Sequence, residues 1–164
     1  MSLDYKEFRF ALGNFPTGVT VITSVTGEGE LLGATVNSFS SVSLDPPLVL
    51  FSLDRSAYSL DAYLNAGVFA VNILSRDQQG ISNRFAKALE EKWGDVSYET
   101  WVTGSPILSD SIASFDCRLW NTYDGGDHVI FVGEVLKMSR KDDDDPLVFF
   151  RGQYGALARG TGSS

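Results

Sequence analysis

The stretch IASFDCRLWNTYDGGDHVIFVGEVLKM, residues 112–138, decides the fold of this chain. Two long runs that are rich in apolar residues flank the turn sequence YDGGD at residues 123–127. Asp-Gly between two such runs is one of the strongest short-range signals for a β-hairpin. The stretch therefore predicts two long antiparallel strands, over residues 112–122 and 128–138.

Further strands are predicted on both sides of this hairpin, over residues 19–25, 31–36, 48–53, 68–74 and 147–150. The run at 48–53 is apolar enough for us to expect burial on both faces. Short helices are predicted over residues 3–12, 59–64 and 78–91, the last with Ile81, Phe85 and Leu89 on one face. Many strands, few helices and tight turns predict a mainly β fold, a small closed or nearly closed barrel. We expect one domain over residues 1–158 and a disordered tail over 159–164.

The composition argues against several classes of protein. The 164 residues include 13 Lys and Arg against 21 Asp and Glu, which gives a formal net charge of −8. Binding to nucleic acid needs clustered basic side chains, so no nucleic-acid partner is expected. No apolar run reaches the roughly 20 residues of a membrane span, and the N-terminus lacks the pattern of a signal peptide. Together with the single cysteine, this predicts a cytoplasmic protein without a membrane partner.

The reactive residue types are scarce, which limits the chemistry. Cys117 is the only cysteine, and its alternating strand context predicts a small half-buried residue rather than a nucleophile. His128 is the only histidine, so sites built on two histidines are excluded. The acidic run at 141–146 indicates a solvated turn, and no metal site is predicted. The chain has no Gly-x-Ser-x-Gly elbow, Rossmann fingerprint or P-loop.

A loop of small polar side chains is the first candidate for a ligand site. Residues 33–47, GATVNSFSSVSLDPP, carry Ser, Thr and Asn with hardly any charge. Such a loop is either a barrel corner or the edge of a site for a flat polar ligand, such as the isoalloxazine ring of a flavin. In the second case, backbone amides near Asn37, Ser38, Ser41 and Val42 meet the ring while Phe39 packs beneath it.

Three further segments have both an ordinary and a functional interpretation. Residues 52–59 follow a strand and open a helix, so they form either a plain N-cap or a phosphate cradle with Arg55 and Ser56 nearby. The triplet at 83–85 offers a positive group and a flat ring, although alone it indicates only an amphipathic helix. His128 directly follows the Gly-Gly-Asp turn, where a lone histidine is more often incidental.

Taken together and in order, these segments resemble the short-chain flavin reductases with an FMN-binding split barrel. Those proteins are the small components of two-component flavin monooxygenases. The motifs are FPTGVTVIT at 15–23, the loop at 33–47, RFA at 84–86, GDHVIFVGEV at 126–135 and FRGQYG at 150–155. The resemblance covers about residues 3–157, and the joint order and spacing of the motifs make it specific.

The resemblance implies a homodimeric, Greek-key-like antiparallel split barrel with a few short flanking helices. It implies an oxidoreductase that binds FMN or FAD, reduces it with NADH or NADPH and supplies reduced flavin to a partner monooxygenase. The residues that would line the isoalloxazine are Thr35, Asn37, Ser38, Ser41 and Val42. Ser52, Asp54, Ser56 and Ala57 would hold the ribityl and phosphate region, and Asn83, Arg84 and Phe85 would complete that wall. Gly126, Asp127 and His128 would receive the nicotinamide nucleotide, with Tyr154 near the same pocket.

The expected chemistry is hydride transfer from C4 of the reduced nicotinamide to N5 of the flavin. The cofactors carry this reaction, so His128 is expected to position the nucleotide rather than to transfer an obligatory proton. Two alternatives stay open: a flavin-binding electron carrier of the same fold, and an oxidase of the pyridoxine phosphate type. Against the oxidase, this sequence shows no added basic cluster that could bind a phosphorylated substrate. Few arginines favour NADH over NADPH, whereas the sequence leaves FMN or FAD, and bound or diffusible flavin, undecided.

Overall fold

The computed structural model describes residues 2–88 and 91–160. Its helices are α1 (Tyr5–Leu12), α2 (Leu60–Ala66) and α3 (Gln79–Phe85), with a 3₁₀ turn (Arg76–Gln78) before α3. The strands are β1 (Thr17–Gly18), β2 (Thr20–Val25), β3 (Leu31–Val36), β4 (Ser40–Leu44), β5 (Pro47–Asp54), β6 (Val68–Ile73), β7 (Tyr98–Thr100), β8 (Pro106–Leu108), β9 (Ala113–Gly125), β10 (His128–Arg140), β11 (Val148–Phe150) and β12 (Gln153–Gly155). The predicted mainly β fold with few helices is confirmed.

The predicted hairpin is the centre of a seven-stranded sheet. β9 and β10 pair along their length, and the strand order is β3-β2-β6-β9-β10-β5-β4, antiparallel throughout. The two edge strands, β3 and β4, are consecutive in the chain and are joined by residues 37–39 alone. Laid flat, seven strands would place these edges about 29 Å apart, whereas this link spans at most about 14 Å. The sheet must therefore curl into a barrel, as the sequence predicts.

Aromatic side chains fill the interior of this barrel. The ring of Phe51 stacks on Phe131 and meets Phe69 edge-on, each at a centroid distance of 4.8 Å. A Cβ on Gly133 would lie 2.7 Å from Cε1 of Phe69, so the strand needs glycine at that position. On β5, alternate residues are buried and the residues between them are half-buried, which corrects the expectation of burial on both faces. The physical reason is that one face of a strand in a curled antiparallel sheet packs into the core while the other faces outward, so burial alternates along β5.

The third helix is shorter than predicted. α3 ends at Phe85 instead of continuing to residue 91, and Leu89 lies outside the described residues. The rings of Phe85 and Trp93 meet at a centroid distance of 4.9 Å. In a continuous helix, residues eight positions apart would be separated by about 12 Å along the axis. The contact therefore excludes a helix that continues through Trp93, and tertiary packing competes here with local helix propensity.

The rest of the chain differs from the sequence-based predictions in smaller ways. The turn-rich region at 94–111 contains the short strands β7 and β8, and β1 and β12 were also not predicted. Part of the segment predicted as a polar loop, residues 33–47, forms the strand β4. Cys117 is fully buried rather than half-buried. The domain boundary at residue 158 and the disordered tail stay predictions: Arg159 pairs with Asp145 at 2.9 Å, and residues 161–164 lie outside the described part. Within residues 2–88 and 91–160, no helix is long and apolar enough to cross a membrane.

Candidate functional site

A cleft of about 900 Å³ runs along the edge of β3. Its lining comprises residues 30–38, 52–54, 57–59, 85–88, 92, 93 and 128. The cleft is thus bounded by β3 and the following loop, the end of β5, the segment after α3, and the first residue of β10. These segments come from distant parts of the sequence and meet because the curled sheet brings β3 close to β5.

Half of the sixteen predicted site residues line this cleft. They are Thr35, Asn37, Ser38, Ser52, Asp54, Ala57, Phe85 and His128. The other eight, Ser41, Val42, Ser56, Asn83, Arg84, Gly126, Asp127 and Tyr154, are not part of its lining. Ser41 and Val42 lie on the exposed edge strand β4. Phe39 packs against the barrel core, with its ring stacked on Phe115 at 6.0 Å, rather than under the cleft.

The wall formed by β3 offers backbone polar groups to the cleft. The Nζ of Lys92 donates a hydrogen bond to the carbonyl of Gly33 at 3.2 Å, so this carbonyl points away from the neighbouring strand β2. In an antiparallel strand, alternate residues present their N–H and C=O groups to the same side. Thr35 therefore also turns its backbone groups toward the cleft, where a ligand can use them.

Hydrogen bonds fix this wall from behind. The Oγ of Ser38 accepts from the N–H of Ser52 at 2.9 Å and donates to its carbonyl at 3.1 Å, which ties the loop to β5. The Oγ1 of Thr35 donates to the carbonyl of Ser82 on α3 at 2.7 Å. The hydroxyl of Tyr154 bonds Ser82 Oγ at 2.6 Å and donates to Asn83 Oδ1 at 3.0 Å. Tyr154 thus lies behind the wall and holds α3 in place.

Asp54 occupies the donors of the predicted phosphate cradle. Its Oδ1 accepts from both the N–H and the Oγ of Ser56, each at 2.7 Å. These hydrogen bonds, followed by the charge of nearby His128, lower the pKa of Asp54. The N–H of Ala57 donates to the Asp54 carbonyl at 3.0 Å. A phosphate at this position would have to compete with a carboxylate for its donors.

His128 stands at the tip of the long hairpin. Gly126 adopts a φ of 74°, a conformation that favours glycine, and forms the turn together with Asp127. The Nδ1 of His128 contacts Oδ1 of Asp127 at 2.7 Å, and His128 is in register with Asp54 on β5. The imidazole is partly exposed and borders the cleft, so it is available to a ligand.

Two lysines and a tryptophan in the cleft were not predicted from the sequence. Lys87, Lys92 and Trp93 all line it. Burial lowers the pKa of Lys92. These residues lay in or beside the helix predicted to reach residue 91, where charged side chains indicate only a solvated face. The local pattern gave no signal that sets these three residues apart from such a face.

Arg84 and Cys117 lie away from the cleft. Arg84 pairs with Asp95 beside a second depression of about 400 Å³ on the other side of α3. Burial and the charge of Asp116 raise the pKa of the Cys117 thiol, which disfavours a nucleophilic thiolate. No cluster of metal-ligating side chains occurs among the described residues.

The sequence of this chain shows the protein family to which it belongs. A family model described as a flavin reductase like domain matches residues 12–158. The chain belongs to this family. The FMN reductase (NADH) SmoA of Agrobacterium fabrum is 46% identical over 94% of this chain and 87% of its own length. The reductase subunit HsaB of a flavin-dependent monooxygenase from Rhodococcus jostii is 40% identical over 95% of this chain and 80% of its own.

A solved structure extends the likeness to the fold. The NADH:FAD oxidoreductase SgcE6 of Streptomyces globisporus C-1027, in complex with NAD and FAD fragments, superposes with a TM-score of 0.91. It is 34% identical to this chain, and the match covers 99% of this chain and 100% of that one. The family and the split-barrel fold class predicted from the sequence are confirmed.

Proposed function

We propose that this protein is an NADH-dependent flavin reductase that transfers hydride from NADH to FMN or FAD. Membership of the flavin reductase family and the activities named for its relatives support this activity. The observation that carries it is the cleft itself, which joins the predicted flavin loop to the predicted nucleotide hairpin. His128 on the hairpin and Ser38 on the loop border the same space, although 90 positions separate them in the sequence.

The residues of the cleft fit a flavin. The outward-facing backbone groups of β3 suit the hydrogen-bonding edge of an isoalloxazine ring. Lys87 and Lys92 place two ammonium groups in the same cleft, where a phosphate needs cations. Because Asp54 already occupies the donors of Ser56, we assign the phosphate to the two lysines.

The proposed roles of the other residues follow from their placement. Thr35, Asn37 and Ser38 face the flavin ring from the β3 wall, and Ser52 and Ala57 border its other side. Asn83 and Tyr154 hold that wall through α3. Gly126 and Asp127 shape the turn that presents His128 to the nicotinamide nucleotide.

A flavin held in this cleft would supply the acceptor for the hydride of the reduced nicotinamide. The protein contributes orientation, since a fixed donor–acceptor geometry replaces a bimolecular encounter. Asp127 holds Nδ1 of His128, which leaves Nε2 free to face the nucleotide. Phe85 and Trp93 cover one side of the cleft with aromatic surface and reduce the access of water.

The decisive assay mixes purified protein with NADH and either FMN or FAD without oxygen. We expect flavin-dependent loss of the nicotinamide absorbance together with bleaching of the flavin. Absence of oxidation with both NADH and NADPH would contradict the reductase function. If flavin binds but only a protein donor reduces it, the electron-carrier alternative holds instead.

The assignment of His128 has its own test. The variant His128→Ala should raise the NADH KM about tenfold, the effect of losing a direct polar contact, and leave flavin affinity within about twofold. Steady-state kinetics and flavin titration measure the two effects separately. Equal losses in both would assign His128 to the flavin instead.

We also propose a homodimer. Every residue of α1 is exposed, among them Tyr5, Phe8, Phe10 and Leu12. A helix of eight residues has little stability alone, and an apolar surface of this kind usually contacts another protein. Sedimentation analysis should give twice the monomer mass, and Phe8→Glu should shift it toward the monomer. A monomeric wild type at assay concentrations would rule this out.

The proposed partner is a flavin-dependent monooxygenase that consumes the reduced flavin, by analogy with the relative that is a monooxygenase reductase subunit. We propose a cytoplasmic location, which a single, fully buried cysteine supports. Adding a candidate monooxygenase to the reductase assay should couple NADH oxidation to hydroxylation of its substrate. If the monooxygenase works equally well with chemically reduced flavin, the reduced flavin reaches it by diffusion and no contact between the two proteins is needed.

A further inference from the structure

Arg55 ties the end of β5 to the tip of the long hairpin. Its backbone N–H donates to the carbonyl of Asp127 at 2.8 Å, and its Nε donates to the carbonyl of Gly126 at 2.8 Å. Its Nη2 donates to Oδ1 of Asp124 at 2.5 Å. A single residue thus uses three donors on three positions of one turn.

The turn that Arg55 holds is the one that presents His128. Asp54, which directly precedes Arg55, is in register with His128, and both residues line the cleft. Asp127, whose carbonyl accepts from Arg55, contacts the imidazole through its side chain at 2.7 Å. Arg55 itself is not part of the cleft lining, and its hydrogen bonds end on the turn rather than in the cleft.

Stability does not explain this arrangement. The side chains of Arg55 and Asp124 are 48% and 81% exposed. Exposed ion pairs of this kind stabilise a fold very little. The turn, however, contains Gly125 and Gly126 in succession, and consecutive glycines leave a backbone unusually free. The planar guanidinium fixes two directions at once and restricts that freedom.

We propose that Arg55 is a positioning residue for the nicotinamide nucleotide, acting by ordering the turn of residues 124–127 before NADH binds. This inference rests on the proposed function, in which His128 contacts NADH. An unordered turn reduces the fraction of molecules that can bind the nucleotide, which raises the apparent KM. Once NADH is bound the turn is ordered, so kcat stays nearly unchanged.

The kinetic test compares Arg55→Gln and Arg55→Lys with the matched control Arg140→Gln. Arg140 forms an exposed ion pair with Asp142 at the opposite end of β10. Arg55→Gln should raise the NADH KM about tenfold, with kcat and flavin affinity within about twofold. Arg55→Lys should recover part of the loss, since an ammonium lacks the fork of a guanidinium. Arg140→Gln should match the wild type.

A double-mutant cycle tests the pair directly. Asp124→Asn should raise the NADH KM by less than Arg55→Gln, and the double variant should equal Arg55→Gln alone, because the two residues share one interaction. Fully additive effects would show that Asp124 and Arg55 act separately, and would overturn the proposal that Arg55 orders the turn through Asp124.

Hydrogen exchange separates this inference from the proposed function. Amides of residues 124–128 should exchange faster in Arg55→Gln than in the wild type or Arg140→Gln. If the wild type reduces flavin while the KM and the exchange rates of Arg55→Gln are unchanged, the positioning role is wrong and the function stands. If Arg55→Gln instead loses affinity for FMN but not for riboflavin, Arg55 binds the flavin phosphate and the proposal fails. If the wild type oxidises no NADH, the function fails and the nucleotide role of Arg55 fails with it.

Discussion

The β3 wall of the cleft is held by side-chain packing and by hydrogen bonds to α3 and β5, whereas the hairpin tip is held by exposed polar contacts. Gly33 on the wall is buried against Phe85, and Thr35 is hydrogen-bonded to α3. At the tip, the side chains of Asp124 and Asp127 are 81% and 89% exposed. The wall is therefore shaped by the fold itself, and the tip by contacts that solvent can replace. On the proposed function, the wall receives the flavin and the tip receives the nucleotide.

The largest expected effect concerns the packing of the wall. In Gly33→Ala the new Cβ would lie 2.5 Å from Cε1 of Phe85, so the aromatic ring must move. We expect a loss of about 2–3 kcal/mol in the free energy of unfolding, which is usual for overpacking, together with weaker flavin binding. Denaturant titration measures the first effect and flavin titration the second.

Gly80→Ala on the adjacent α3 is the control for this substitution. A Cβ there meets no atom within 4 Å, and alanine favours a helix. Gly80→Ala should equal or exceed the stability of the wild type. A Gly33→Ala variant as stable as Gly80→Ala would show that the wall is not packed as described.

The charge in the cleft should act on the ligand rather than on the fold. Lys92→Met removes an ammonium whose lowered pKa shows that burial disfavours its charged form. Loss of the hydrogen bond to Gly33 opposes this gain, so stability should stay within about 1 kcal/mol of the wild type. Affinity for FMN should fall about tenfold, while affinity for riboflavin stays unchanged. Lys141→Met, outside the cleft lining, serves as the control. Equal losses for FMN and riboflavin would contradict the phosphate assignment.

Those features of the wall and the tip that depend on short sequence motifs could be predicted from the sequence. The Asp-Gly turn specified the long hairpin, and the uncharged polar loop pointed to the wall of the cleft. Lys87, Lys92 and Trp93 were missed because their placement depends on where α3 ends. Beyond that end, Trp93 packs back on Phe85, a tertiary contact that helix propensity does not encode. The hydrogen bonds from Arg55 to the turn were not predicted for a similar reason, since they join residues about 70 positions apart.

A smaller effect is expected for the support behind the wall. Tyr154→Phe loses the hydrogen bonds to Ser82 and Asn83, which should cost about 1 kcal/mol of stability. Flavin affinity should fall a few-fold because α3 carries the partner of Thr35. Denaturant and flavin titrations measure both effects. An increase confined to the NADH KM would instead place Tyr154 against the nucleotide, as the family resemblance implies.

The smallest change in the fold is expected at the tip. Asp127→Asn keeps the shape of the side chain but removes the charge that faces His128. The melting temperature should match that of the wild type, because the side chain is exposed. The NADH KM should rise about threefold, as expected for one exposed polar contact. Asp143→Asn in the acidic run is the control, and an equal rise in KM there would indicate a general effect of charge.

The separate use of wall and tip is tested most directly by one crossed measurement. The dissociation constant of FMN and the KM of NADH are determined for Lys92→Met and for His128→Ala under the same conditions. The account predicts that Lys92→Met weakens FMN binding alone and that His128→Ala raises the NADH KM alone. If each variant changes both constants to the same extent, the cleft is not divided between flavin and nucleotide, and the account is wrong.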